Sequence, residues 1–275
     1  MCKLKSAIIL KDRIFMPDYD SHSRMLDELG IKDDYLGASK KFVRAELSPK
    51  DGDAFTDIDG WELTVDQDIT PEWFTEDEYK PKMVEAVKEW AKSHIHICVE
   101  GLKIEVGENH YIKDCKDVEI HGSATVKNIC GSATVKNICG SATVEYICGS
   151  ATVENICGSA TVKYIHGSAT VKNIHGSATV KNICGSATVK YIHDSATVEY
   201  ICGSATVENI CGSATVISSP YTKWKNATSV ILADNATFKD IYGKVIYQSG
   251  DFKLISVESG KKLIESEVSN EQSES

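Results

Sequence analysis

A nine-residue unit repeats without insertion or deletion through much of the chain. From Gly122 the unit GSATVKNIC recurs, and its tetrapeptide SATV occurs eleven times, first at Ser123 and last at Ser213. A fixed period of this kind is typical of a solenoid or a similar stacked array, because one short unit cannot bury its own apolar face. Residues 118–216 are therefore predicted to form a solenoid.

The pattern inside each unit indicates a strand followed by a turn. Small apolar residues alternate with polar ones, which is the two-residue period of a strand with one buried face. In the first unit we expect Ala124 and Val126 to point inward, Ile129 to be buried at a corner, and Gly131 to supply the turn. Helix is disfavoured by a Gly every nine residues and by the β-branched Thr-Val pairs.

The length of one coil has two solutions. Two units make an 18-residue coil and a flat two-sided roll, and three units make a 27-residue coil and a triangular prism. The longer coil would alternate the charges of Lys127, Glu154, Lys181 and Glu208, whereas the shorter one stacks like charges more often. A core made only of Ala, Val and Ile is small, however, as a flat roll requires. We therefore predict the 18-residue coil, stacked at about 4.8 Å, with the 27-residue coil as the alternative.

The flanking sequences predict a mainly β protein of four parts. Residues 1–112 have mixed α+β patterning and are expected to cap the solenoid of residues 113–216. Residues 217–258 keep the rhythm of the repeat in NATSVILAD and NATFKDIYG, and they are expected to form the C-terminal cap. Such caps protect the exposed strand edges from aggregation. The Ser- and Glu-rich residues 259–275 are expected to be disordered.

Local signals predict several elements in the N-terminal part. KSAIILKDRIFM and GWELTVDQ have the pattern of strands. Thr75 and Glu78 have the spacing of a capping box at the start of a helix, and Gly30 is expected to end a shorter helix. The apolar face of the longer helix is predicted to contain Met83, Val84, Val87, Trp90 and Ala91.

Charge and hydropathy argue against a nucleic acid or a membrane as partner. The repeat block has six acids and six bases, whereas residues 1–117 have 26 acids and 17 bases. A neutral array does not neutralise phosphates, so nucleic-acid binding is not expected. No apolar run approaches the ~18 residues of a membrane-spanning helix, and the apolar stretch of residues 7–10 is too short for a signal peptide. We therefore expect a cytoplasmic protein whose ten cysteines are thiols or metal ligands rather than disulfides.

The ninth position of the unit is the strongest candidate for a functional site. Every occupant is Cys or His, the side chains that best ligate Zn²⁺ and Cu⁺. The candidate metal ligands are His121, Cys130, Cys139, Cys148, Cys157, His166, His175, Cys184, His193, Cys202 and Cys211. With an 18-residue coil they split into two columns, in which neighbours are close enough to share a metal ion. Two alternatives stay open: a structural corner copied by tandem duplication, and a ladder of disulfides.

Other clusters carry weaker predictions. His94, His96 and Cys98 are expected to share one face of a strand, and the aspartates between residues 51 and 59 are expected to form turns. Catalytic triads, phosphate loops and dinucleotide fingerprints are absent from the sequence. We therefore do not expect an enzyme.

Part of the sequence resembles a known group of proteins. The opening KSAIILKDRIFMPDYDSHSRMLDELGIKDD, with FVRAEL, GWELTVDQDITPEWF and the KDC before the repeats, is similar to uncharacterised proteins of gut anaerobes and their phages. In those proteins a similar N-terminal domain precedes an array of short ATV-type repeats that resembles pentapeptide repeats. The resemblance implies a solenoid with a fused cap and an origin in a mobile element, and it implies no activity.

The sequence leaves a short set of functional hypotheses. The first is a rigid, non-catalytic scaffold that binds a protein partner, with self-association through the edges or faces of the solenoid. The second is storage or sequestration of zinc or copper by the Cys/His columns. A third, based on the resemblance, is an acidic phage-derived protein that inhibits a host protein.

Overall fold

The computed structural model describes residues 4–32 and 41–218 and four further strands in the C-terminal part. The chain divides into two units. The N-terminal unit consists of residues 1–97 with 107–111, and the solenoid unit consists of residues 98–106 with 112–275. Within the described ranges, neither of the two α-helices combines the length and the apolar character that crossing a bilayer requires.

The N-terminal unit is an α+β fold, as predicted. Its antiparallel sheet has the order β2-β1-β3-β4. The strands are β1 (Lys5–Leu10), β2 (Ile14–Phe15), β3 (Phe42–Ser48) and β4 (Glu62–Val65), the helices are α1 (His22–Glu28) and α2 (Glu76–His94), and α2 leads into β5 (Ile95–Ile97). The strands predicted within KSAIILKDRIFM and GWELTVDQ are thus confirmed.

The helix α2 buries the face that its sequence predicts. All five predicted apolar residues are buried in one cluster with Trp61 and Tyr79. The helix begins directly after Thr75, although the Thr75 side chain makes no capping hydrogen bond. The shorter helix α1 buries Met25 and Leu26 and ends before Gly30, whose φ of 66° places it in the left-handed region.

The solenoid unit is a stack of short strands that follow one another at nine-residue intervals. It begins with β6 (Lys103–Ile104), the end of β7 (His110–Lys113) and β8 (Val118–Ile120). The strands of the repeat are β9 (Thr125–Cys130), β10 (Thr134–Ile138), β11 (Thr143–Ile147), β12 (Thr152–Ile156), β13 (Thr161–Ile165), β14 (Thr170–Ile174), β15 (Thr179–Ile183), β16 (Thr188–Ile192), β17 (Thr197–Ile201), β18 (Thr206–Ile210) and β19 (Thr215–Ser218).

Strand pairing confirms the 18-residue coil and rules out the 27-residue alternative. Each strand pairs in parallel with the next but one, so that Thr134 lies opposite Thr152 and Thr143 opposite Thr161. The strands β9, β11, β13, β15, β17 and β19 form the odd sheet, and β8, β10, β12, β14, β16 and β18 form the even sheet. One coil therefore contributes one strand to each of two faces.

The core is a regular stack of Ala, Val and Ile from both sheets. Ala124, Val126 and Ile129 are fully buried, as predicted, and so are nearly all of their equivalents. The Val-to-Ile step contains two outward residues, as in β12, where Glu154 and Asn155 lie between the buried Val153 and Ile156. The sixth and seventh positions of the unit consequently both face outward, which simple alternation did not predict.

The turn positions stack backbone on backbone. Gly149 has a φ of 66°, and a Cβ built on it would lie 3.0 Å from the carbonyl oxygen of Gly131 in the coil before. The Ser150 N–H donates to that same oxygen at 2.9 Å. Asp194 replaces one glycine and still adopts a φ of 58°, and its carboxylate accepts a hydrogen bond from the Gly176 N–H. Asp can adopt this conformation more readily than most residues.

Four strands continue the two sheets after β19. β20 (Val230–Leu232) and β21 (Thr237–Asp240) pair in parallel with β18 and β19, at a larger sequence offset than the strands within the repeat. β22 (Val245–Tyr247) and β23 (Phe252–Leu254) then pair antiparallel to β21 and β20. Residues 259–275, which are predicted to be disordered, lie outside the described residues. The capping roles stay predictions.

Replacing one core residue tests the stacked core. We expect Ile192→Ala to lower the free energy of unfolding by about 2–5 kcal/mol, because it leaves a cavity in a fully buried column. The control Lys190→Ala changes an exposed side chain of the same strand and should stay within about 0.5 kcal/mol of the wild type. Urea denaturation followed by circular dichroism measures both. Equal effects of the two substitutions would contradict the burial of Ile192.

Candidate functional site: the Cys/His columns

The ninth-position side chains form two columns at the ends of the strands. The odd column contains Cys130, Cys148, His166, Cys184 and Cys202, and the even column contains His121, Cys139, Cys157, His175, His193 and Cys211. All eleven residues are half-buried. From Cys139 onward, backbone hydrogen bonds of 2.8 to 3.0 Å hold them to the preceding coil, as between the Cys148 N–H and the Ile129 carbonyl oxygen. The two predicted columns are thus confirmed as a structural arrangement.

Four of the cysteines form disulfides within these columns. Cys139 pairs with Cys157 in the even column, and Cys184 pairs with Cys202 in the odd column. Their Cα atoms are 4.8 Å and 4.7 Å apart, which is the spacing of successive coils. Both pairs join residues 18 positions apart, so each disulfide ties one coil to the next. The expectation of reduced cysteines is wrong for these four residues, and the ladder of disulfides that the sequence left open is found in part, because stacking brings them within the range of disulfide geometry. Metal binding by the columns stays a prediction.

A further pair of cysteines, which lies in the odd column, is not joined by a disulfide. Cys130 and Cys148 occupy adjacent coils and form no disulfide. A hydrogen bond from the Cys130 thiol lowers the pKa of Cys148 to about 7, against the opposing effect of burial. The Cys148 Sγ also lies 3.3 Å from Oδ1 of Asn128. The lowered pKa favours the thiolate of Cys148, the form that ligates metals and attacks electrophiles.

Two histidines and an aspartate meet in the even column. The rings of His175 and His193 are stacked with centroids 5.0 Å apart. Nδ1 of His193 lies 3.1 Å from Oδ1 of Asp194, and Nδ1 of His175 lies 3.8 Å from Oδ2 of the same carboxylate. The hydrogen bond with His193 and the one from the Gly176 N–H lower the pKa of Asp194. The sequence showed Asp194 only as a substitution for Gly, and its contact with two column members became visible through stacking.

On the outward faces beside the columns, side chains at the same position of successive coils form ladders, which are stacked rows of identical or oppositely charged residues. On the odd sheet, Glu145 accepts hydrogen bonds of 2.9 Å from both Lys127 and Lys163. Burial by itself would raise the pKa of Glu145, but the two lysines hold this pKa below its usual value. Tyr146 and Tyr164 stack with ring centroids 5.0 Å apart, and each remains 40% exposed.

The even sheet has a different ladder at the seventh position of the unit, the position that Tyr146 and Tyr164 occupy on the odd sheet. The side-chain amide of Asn155 donates to Oδ1 of Asn137 at 3.2 Å, and that of Asn173 donates to Oδ1 of Asn155 at 3.0 Å. Tyr191 follows Asn173 in this column and is 45% exposed. The two faces therefore differ mainly in where Tyr replaces Asn.

The cluster predicted around His96 is arranged differently from the prediction. His94 is the last residue of α2, not part of a strand, and its ring stacks on Trp90 four residues earlier with a centroid distance of 4.6 Å. Cys98 lies beyond β5 with a left-handed φ of 56°. The predicted common strand face is therefore wrong, because packing against Trp90 extends the helix through His94.

His110 takes part in this cluster and was not identified from the sequence. Its ring stacks with that of His94 at 4.9 Å and with that of His96 at 5.6 Å. Burial, with the neighbouring charges of His110 and His94, lowers the pKa of His96 to about 4. His96 is thus neutral at physiological pH.

The aspartates between residues 51 and 59 form turns, as predicted. The Asp53 N–H donates to Oδ1 of Asp51 at 3.1 Å, and the Asp59 N–H donates to Oδ1 of Asp57 at 3.2 Å. These are the side-chain-to-backbone bonds that favour Asp in turns.

The lowered pKa of Cys148 predicts its reactivity. Alkylation under non-reducing conditions should reach half its maximal rate near pH 7, because the thiolate forms as the pH rises through the pKa. Cys130→Ala removes the hydrogen bond, so the midpoint should move upward toward the ordinary thiol value of about 8.5.

Mass spectrometry of the tryptic peptide 137–163 isolates this thiol, because the other two cysteines in that peptide are joined to each other. Cys211→Ala, in the other column, is the control and should leave the midpoint unchanged. A midpoint at the ordinary thiol value in the wild type would contradict the interaction.

Comparison of the chain with models of protein families, with curated proteins and with solved structures finds no match. The likeness to proteins of gut anaerobes and phages therefore stays an expectation of the sequence. The α+β unit followed by a solenoid, which that likeness implied, is present in the structure.

Proposed function

We propose that the protein is a non-catalytic scaffold whose solenoid binds a protein partner through its outward ladders. The observation that carries this proposal is the exposed stack of Tyr146 and Tyr164 on the odd sheet, flanked by the Lys127–Glu145–Lys163 ion pairs. Exposed aromatic side chains are enriched at the centres of protein interfaces, where they contribute much of the binding energy. Parallel backbone pairing orders this surface before binding, which lowers the entropic cost of association.

The repeat itself supplies a conservative test of this surface. We expect the double substitution Tyr146→Asn and Tyr164→Asn to preserve the fold, because Asn occupies the equivalent seventh position in other units, as at Asn128 and Asn182. Binding of the partner should weaken at least about tenfold, which corresponds to about 1.4 kcal/mol and is ordinary for loss of a buried aromatic contact.

The matched control is Tyr191→Asn on the even sheet, which is similarly exposed. Candidate partners are the proteins that the immobilised wild-type chain retains and the immobilised double variant does not. These proteins would be purified, and their affinities would be measured by titration calorimetry. If each purified candidate binds the wild type and the double variant equally, the tyrosine stack is not the binding surface.

The second candidate function is binding of thiophilic metal ions by the Cys/His columns. It is favoured by the pair Cys130 and Cys148, whose thiols lie in adjacent coils of one column and are close enough to form a hydrogen bond. Zn–S bonds of about 2.3 Å at a tetrahedral angle place two sulfur atoms about 3.8 Å apart, a separation that side chains on coils with Cα atoms 4.7–4.8 Å apart can reach. In a reducing cytoplasm the two disulfides would open, and all eleven positions would be available as ligands.

Copper loading under anaerobic reducing conditions tests this candidate. We expect the reduced chain to bind more than one Cu⁺ per molecule, and the double substitution Cys130→Ser and Cys148→Ser to lower the number bound. Cys98→Ser, which lies outside the columns, is the control. Measurement uses elemental analysis together with thiol titration before and after chelation. Less than one ion per chain under saturating zinc or copper would remove this function.

A further inference from the structure

One histidine and two carboxylates meet in the N-terminal unit, separate from the columns. His22 is the first residue of α1, Glu46 lies within β3, and Asp66 follows β4. One donor atom from each residue lies within 4.8 Å of the others. His22 and Glu46 are buried, whereas Asp66 is exposed to solvent. Three elements that are distant in sequence thus converge on one point at the surface.

Both ring nitrogens of His22 face oxygen acceptors. Nε2 lies 3.3 Å from the carbonyl oxygen of Ala45, and Nδ1 lies 3.3 Å from Oδ2 of Asp66. A neutral imidazole has one N–H, so it can donate to only one of these oxygens. If Nε2 donates to the carbonyl, the lone pair of Nδ1 points at a carboxylate oxygen. A metal ion between Nδ1 and Asp66 would accept this lone pair and bind the carboxylate oxygen.

The geometry points to a divalent metal site formed by Nδ1 of His22 and the carboxylates of Glu46 and Asp66. A metal-bound histidine commonly donates its other N–H to a backbone carbonyl, which is the role that Ala45 has here. Bonds of about 2.1 Å at a tetrahedral angle place two donor atoms about 3.4 Å apart. Nδ1 of His22 and Oδ2 of Asp66 are 3.3 Å apart, and the donor atoms of all three residues lie within 4.8 Å of one another.

The donor set defines the class of ion. One imidazole and two carboxylates suit Mn²⁺ or Zn²⁺ and provide none of the thiolates that select Cu⁺. The exposed side of Asp66 leaves the remaining coordination positions to water. The Asp66 N–H donates to the Arg44 carbonyl oxygen at 2.9 Å, which fixes the backbone of this ligand against β3. The site is therefore anchored on its protein side and open on the other.

Manganese binding to the full chain tests the site, because Mn²⁺ binds carboxylates and has little affinity for the thiols of the columns. Free Mn²⁺ is followed by electron paramagnetic resonance during titration. We expect the wild type to bind one Mn²⁺ at this site and Asp66→Asn to weaken binding at least about tenfold. Asp66 is exposed, so this substitution should not unfold the chain.

Asp68→Asn is the matched control, since Asp68 is an exposed carboxylate two residues further along, and it should bind like the wild type. Circular dichroism confirms that each variant is folded. Absence of Mn²⁺ binding by the wild type, or equal binding by the wild type and Asp66→Asn, would overturn the site. Neither result would affect the proposed roles of the tyrosine stack or the columns.

Discussion

The solenoid depends on parallel backbone hydrogen bonding between identical segments of successive coils. The bonds from Ser and Thr N–H groups to the Gly and Ala carbonyls of the coil before recur along the array at 2.8 to 3.0 Å. Because successive coils carry the same sequence, this pairing also places every side chain above its own equivalent. The buried Ala, Val and Ile columns, the Asn ladder and the disulfides all follow from this one constraint.

The repeat predicts the solenoid, and of the two coil lengths that it left open the preferred 18-residue coil is confirmed by the strand pairing. The small size of Ala, Val and Ile fits a flat roll, and the structure has two sheets that these side chains fill together. The alternation of charges, which favours the longer coil, did not determine the register. The observed register stacks Lys163 on Lys181, but these exposed groups cost little in water. In the same column Glu145 lies between Lys127 and Lys163 and forms favourable ion pairs with both.

The candidate sites were predictable only in part. The ninth position of the repeat identifies every member of the Cys/His columns, and the coil length divides these residues between the two columns. It does not reveal which neighbours interact, because the disulfides and the interaction of Cys130 with Cys148 depend on side-chain orientation. Sites that join distant segments, such as His22 with Asp66, leave no local pattern. His94 was assigned to a strand because alternation continues into it, whereas packing on Trp90 keeps it helical.

Disulfide formation between native cysteines tests the 18-residue register most directly. Two variants would each retain one pair of solenoid cysteines and have serine at the others: Cys139 with Cys157, or Cys130 with Cys157. After mild oxidation, mass spectrometry should find an intramolecular disulfide in the first variant, whose partners lie one coil apart with Cα atoms 4.8 Å apart. It should find none in the second, whose partners lie in different columns. Crosslinking of Cys130 to Cys157 without crosslinking of Cys139 to Cys157 would indicate a 27-residue coil and contradict the account.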